Sequence, residues 1–158
     1  MTNQEIAEEL SSLVQLDLDA VLAYDRAIEA IGDVWIANEL AKFKLDHQRH
    51  VLELSKVLLD MKVRPPAAKA DVKGTILGGV TGVRARLGTE QALKAMVSNE
   101  ELTTSTYARA LAKPFPEDVL DIVRRNSGDE QRHLSWIQRA IDQRLWEQAQ
   151  DSTFGAGI

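Results

Sequence analysis

Glu130 and His133 stand three residues apart, so on a helix they share one face, one turn above the other. A carboxylate and an imidazole in that arrangement can hold one metal ion. A lone E-x-x-H in a charged helix arises often by chance and then marks only a solvated Glu and a satisfied His. Here the pentapeptide Asp129-Glu130-Gln131-Arg132-His133 has an earlier echo, Asp46-His47-Gln48-Arg49-His50, with four of five residue types repeated in order 83 residues apart. The same offset matches Asp17 with Glu100, Tyr24 with Tyr107, Arg26 with Arg109 and Ala27 with Ala110, which reads as an internal duplication.

Long helices must carry these residues. Thr2 and Glu5 fit a capping box, and apolar residues then recur at helical spacing to Ile31, before Gly32. Asp33 caps a second helix running to about Lys62, ahead of Pro65-Pro66. Residues 63–88 read as a crossover carrying a short, weak helix among Gly74 to Gly82; with no G-K-[ST] and no preceding strand, it is not a phosphate loop. Thr89 caps a third helix to about Ala112, and Pro116 opens a fourth to about Ala149. Residues 150–158 read as a frayed tail. The two short turns force antiparallel pairs, and the long connection lets the third helix start back at the far end. The expected fold is all-α, an antiparallel four-helix bundle over residues 1–149 with its crossover between the second and third helices.

Each helix carries a seam of alternating three- and four-residue steps. The first reads Leu10, Leu13, Asp17, Ala20, Tyr24, Ala27, Ile31, and the second Ile36, Leu40, Phe43, His47, His50, Leu54, Val57, Met61. The third reads Leu93, Met96, Glu100, Thr103, Tyr107, Ala110, and the fourth Val119, Val123, Asn126, Glu130, His133, Ile137, Ala140. All four are apolar at the ends and ionisable in the middle. Asp17 and His47 lie equally far from the first turn, and the 30-residue spacing from Asp17 to His47 recurs from Glu100 to Glu130. Burying one unpaired carboxylate costs several kcal/mol (about 3–5), so Asp17, His47, His50, Glu100, Glu130 and His133 must satisfy one another or bind something. A buried polar network fixing helix register is the plain alternative. Hard carboxylates and imidazoles converging from four helices favour a metal ion, with Fe, Mn or Zn suited to the set.

Composition narrows the function classes. A net charge of −5 argues against nucleic acid or an anionic membrane as partner. Without Cys there is no disulfide, thiolate site or iron–sulfur centre. Neither a signal peptide nor an apolar run of membrane-spanning length is evident, so a cytoplasmic protein is expected. Trp35, Trp136 and Trp146 fall off the seams and read as packing or interface residues, leaving a homodimer open.

Asp129-Glu130-Gln131-Arg132-His133 fits the D-E-x-R-H signature in full, and the four helices between Thr2 and Ala149, with the crossover and tail unmatched, resemble the ferritin-like di-iron carboxylate superfamily, including small bacterial members made of the duplicated bundle alone. The resemblance implies Glu130 as a carboxylate bridging two metals and His50 and His133 as terminal ligands. Asp17 and Glu100 would be the carboxylates of the first and third helices, with Asp46 and Asp129 orienting histidines unless they only pair with Arg49 and Arg132 on the surface. Two positions depart: Asp17 stands in place of a Glu, a milder change that shortens its reach, and His47 stands where the superfamily has a second bridging Glu. A neutral imidazole cannot bridge through its ring, so the resemblance implies an asymmetric centre, with oxygen activation in doubt. Tyr24 and Tyr107 read as core residues with satisfied hydroxyls, or as partners of a ligand. The expected function is a metal-binding ferritin-like protein with a di-metal (Fe/Mn) site and oxygen- or peroxide-linked redox activity. The alternative is a non-enzymatic metal-binding or stress-related bundle with a degenerate or zinc-occupied site.

Overall fold

A computed structural model of the protein describes residues 1–69 and 88–148. Four main helices dominate: α1 (Asn3–Ala30), α2 (Val34–Asp60), α3 (Gly88–Leu111) and α4 (Glu117–Asp142). No strand occurs among the described residues, so the fold is an all-α bundle. Nor is any described helix long and apolar enough to cross a membrane.

The starts of α1 and α2 follow from local chemistry. Thr2 Oγ1 accepts from the Glu5 amide at 3.2 Å while Glu5 Oε2 accepts from the Thr2 amide at 2.6 Å, so the expected capping box is formed. Asp33 Oδ1 accepts from the Ile36 amide at 2.9 Å and caps α2. Pro116 takes the cap position of α4 rather than its first turn. Thr89, expected as a cap, is a buried residue inside α3.

Two helix ends differ from the sequence reading. α2 closes at Asp60 through bonds from Lys62 N to Leu59 O and from Val63 N to Leu58 O, with Lys62 left-handed at φ 63°. This is the usual helix-ending turn, normally built on Gly, and it stops the helix before the prolines matter. α4 ends at Asp142 instead of running on to Ala149: Arg144 is left-handed at φ 47°, and residues 145–148 are again helical. Continued straight, the α4 seam would bring Arg144 and Glu147 to the core; the break instead lets Leu145 and Trp146 pack on it. The short helix read among Gly74 to Gly82, most of the crossover 63–88, and the tail 150–158 lie outside the described residues.

The seams are buried as expected, with one drift: near the end of α2, Leu58 is buried where the strict heptad put Val57 and Met61. A straight helix with 3.6 residues per turn slips against a seven-residue repeat, which explains the shift. Two apolar clusters result. One joins Ile6, Leu10 and Leu13 of α1 to Leu54 and Leu58 of α2, Tyr107 and Ala110 of α3, and Val119 and Val123 of α4. The other joins Ala27 and Ile31 to Ile36, Leu40, Leu93, Met96 and Ile137. The start of α1 therefore meets the end of α2, and the end of α1 meets the start of α2. Between the clusters lies a polar layer.

Candidate metal centre

Asp17 of α1, His47 and His50 of α2, Glu100 of α3, and Glu130 and His133 of α4 all have 0% exposure. They form two overlapping sets that could hold a metal ion: Asp17, His47, His50 and Glu130, and His47, Glu100, Glu130 and His133. Within each set one ligand atom per residue lies within 4.8 Å of every other. Donors around one ion at about 2.1 Å stand at most about 4.2 Å apart, so small side-chain rotations close either set. All six residues named from the sequence are thus brought together, and His47 and Glu130 belong to both sets.

Their electrostatics are unequal. Asp17 Oδ1 accepts from His47 Nδ1 at 2.8 Å and from His50 Nδ1 at 3.2 Å. Burial works to raise the Asp17 carboxyl, but these two imidazoles hold it below the usual range. His47 also donates from Nε2 to Glu100 Oε1 at 3.3 Å, and burial, which disfavours its charge, is outweighed by Asp17 and Glu100, so its pKa lies well above the ordinary histidine value. His50 donates from Nε2 to Asp129 Oδ2 at 3.0 Å; against burial, Asp17 and Glu130 raise it to about 9. His133 differs. It donates from Nε2 to Asp46 Oδ2 at 2.9 Å, its Nδ1 has no hydrogen-bond partner, and burial keeps it neutral. A neutral imidazole with a free lone pair on Nδ1 is a ready metal ligand.

Glu130 is the orphan of the layer. Its Oε1 lies 3.3 Å from His50 Nδ1 and 3.4 Å from His47 Nδ1, yet neither approach has hydrogen-bond geometry and both carboxylate oxygens lack a partner. Burial pushes its carboxyl up to about 7. Glu100 is the opposite case: burial is outweighed by His47, and its oxygens accept from Tyr24 Oη and, at 3.2 Å, from Thr103 Oγ1.

A ring of supporting contacts surrounds the six, and it crosses between the first two helices and the last two. Tyr24 donates to Glu100, and Tyr107 donates to Asp17 Oδ2 at 2.5 Å. Both hydroxyls are buried against carboxylates, which pushes their pKa values well above the phenol range. Both readings of the tyrosines therefore hold: they are core residues, and their hydroxyls are satisfied by candidate ligands. Asp46 of the first half holds His133 of the second, and Asp129 of the second holds His50 of the first. Arg132 bonds Asp46 at 2.6 Å and Asp129 at 3.0 Å, while Arg49 pairs with Asp129. The two aspartates do orient histidines, and the expected three-residue pairs with arginine are present beside that role. The sequence reading did not single out Thr103, although its place on the α3 seam one turn from Glu100 is the signal that could have found it.

The arrangement can bind a hard or borderline divalent cation: three carboxylates supply charge, and imidazoles whose far nitrogens are already held by Asp46 and Asp129 supply oriented nitrogen donors. Of the known protein families, one described as "Domain of unknown function (DUF2383)" matches residues 5–113, which spans nearly all of α1 and the whole of α2 and α3, with both Asp17 and Glu100. No curated protein matches the chain.

Proposed function

The chain belongs to the DUF2383 family, and on that premise we propose that it is a metal-binding protein of ferritin-like build whose centre is the polar layer of the bundle. Residues 1–149 form the domain, as two antiparallel hairpins joined by the long crossover at 63–88 and related by internal duplication. The ligands are Asp17, His47, His50, Glu100, Glu130 and His133, with Glu130 shared between two ion positions. Iron or manganese fits this mixed oxygen and nitrogen set, with zinc as the non-redox occupant. A bound redox metal would supply chemistry with oxygen or peroxide. The protein's own part is to orient the donors, exclude bulk water and give up to solvent the protons that its ligands carry in the metal-free state.

The observation that carries this reading is the pair of unpartnered groups, both oxygens of Glu130 and Nδ1 of His133. A polar network serving only to fix register would satisfy its own members, because each unmet buried polar group costs about 1–3 kcal/mol. Within the six-residue set the unmet atoms, both oxygens of Glu130 and Nδ1 of His133, are ones that a shared cation would engage. Metal analysis of protein purified without added metal, followed by titration with ferrous, manganous and zinc ions, tests the proposal. Saturable binding of one or two ions is expected, with a rise in melting temperature by mass action. Replacing Glu130 by Ala should abolish that rise. A melting temperature indifferent to all three metals would leave the register network as the better account.

A further inference from the structure

The duplicated halves pair closely around the layer, but they part company at three positions on one helix face: Asn126, Ser127 and Glu130 of α4 stand where the first half has Phe43, Lys44 and His47. The consequences on the two sides are opposite. Phe43 stacks on His133 with ring centroids 4.5 Å apart at 28°, so that side of the layer is walled by an aromatic ring. Lys44 turns away to Asp25 at 2.5 Å. On the α4 side, Asn126 is 0% and Ser127 2% exposed, and Asn126 Oδ1 and Ser127 Oγ have no hydrogen-bond partner among the described residues. Both lie one helical turn from Glu130, whose two oxygens are also unpartnered, so four buried, unmet polar atoms share one patch of α4.

The orientation of Asn126 is fixed by its neighbour. Tyr107 Oη donates to Asp17, so it can only accept from Asn126, whose Nδ2 sits 3.5 Å away. That leaves Oδ1, an acceptor, as the free atom. Glu130 adds two acceptor oxygens when ionised and an O–H when protonated, and Ser127 adds a hydroxyl able to donate or accept. A patch this rich in acceptors calls for a donor.

We propose that Asn126, Ser127 and Glu130 form a binding recess for one small neutral O–H donor, a solvent molecule at rest, and that this recess is the side from which such a ligand reaches the centre. A buried water characteristically makes about three hydrogen bonds to groups otherwise unmet, which matches what these three side chains offer. On the other side Phe43 puts an aromatic ring where α4 carries Asn126. The centre is therefore two-faced, with the exogenous ligand on the α4 side near Asp17, His50 and Tyr107. The second half of this statement rests on the metal-binding reading; the recess itself does not.

The test uses the full chain as Ser127→Ala and as Asn126→Leu, and its first readout needs no metal. In a dry recess Ser127→Ala removes an unmet hydroxyl and should leave the metal-free protein as stable or more so. In a recess holding a donor it takes away one of that molecule's partners. We expect both variants to melt lower, by about 2–4 °C per kcal/mol lost. The second readout is the visible spectrum of the cobalt(II) protein, whose bands strengthen as coordination falls; Asn126→Leu should strengthen them at unchanged cobalt stoichiometry. Metal-free variants melting at or above the parent temperature, with cobalt bands unchanged, would overturn the proposal. If no cobalt binds, the metal-binding reading fails while the metal-free melting temperatures still decide the recess.

Discussion

Glu130 and His50 illustrate how ionisation would respond to a cation. In the metal-free protein His50 is raised to about 9 and Glu130 to about 7, so near neutral pH both bind more protons folded than unfolded. The sign follows directly. Stability contributed by His50 is fully present below its unfolded value near 6.5 and is lost as pH rises through about 9, and Glu130 acts in the same sense from about 4.5 to about 7. Asp17 and Glu100 are lowered, and their contribution falls away only in acid. The metal-free protein should therefore lose stability from pH 6 to 9. Metal binding should strengthen over the same window, because a ligand must shed its proton. Calorimetry of zinc binding in buffers of different ionisation enthalpy should register proton release; none released at pH 7 would contradict these ionisations. His47 sets a second expectation. Its Nδ1 faces Asp17 and its Nε2 faces Glu100, but a neutral imidazole has one lone pair and can serve only one ion. Oxidation of loaded ferrous iron should be slow, and His47→Glu should speed it by adding a bridging carboxylate. An unmodified protein that already oxidises iron as fast as the variant would refute that account.

Among the elements, the apolar clusters on either side of the layer fix its height. Leu40 is fully buried in one of them, and Leu40→Ala should cost about 2–5 kcal/mol of stability. Asp33→Ala removes only the α2 cap and should cost about 1 kcal/mol. Chemical denaturation measures both, and neither should change the number of ions bound. The helices and their buried faces were legible in the sequence because a seam of period near 3.5 can be read without tertiary information. The ends of α2 and α4 were not. Lys62 and Arg144 take the left-handed conformation that Gly usually signals, and composition gives no sign of it. The cross-half pairing of Asp46 with His133 and Asp129 with His50 was equally hidden. Periodicity gives a residue's face and height, but not which neighbouring helix its side chain reaches.

For the whole molecule, the first and last helix pairs make mirrored contacts around an unequal middle. Tyr24 to Glu100 is answered by Tyr107 to Asp17, and the aspartate–histidine pairs answer each other. The stretch of Asn126, Ser127 and Glu130 against Phe43, Lys44 and His47 breaks the match beside the candidate ligands, as does Thr103 against Ala20. Two halves that each buried their ionisable groups independently would not need such interlocking. A shared cation between them gives the interlocking a reason. The most direct measurement is a titration of metal-free protein with ferrous iron under anaerobic conditions, counting bound ions for the parent chain, Glu130→Ala and Asp33→Ala. The account predicts one or two ions in the parent and in Asp33→Ala, and loss of tight binding in folded Glu130→Ala. No saturable binding to the folded parent chain, or equal binding after Glu130 is removed, would contradict it.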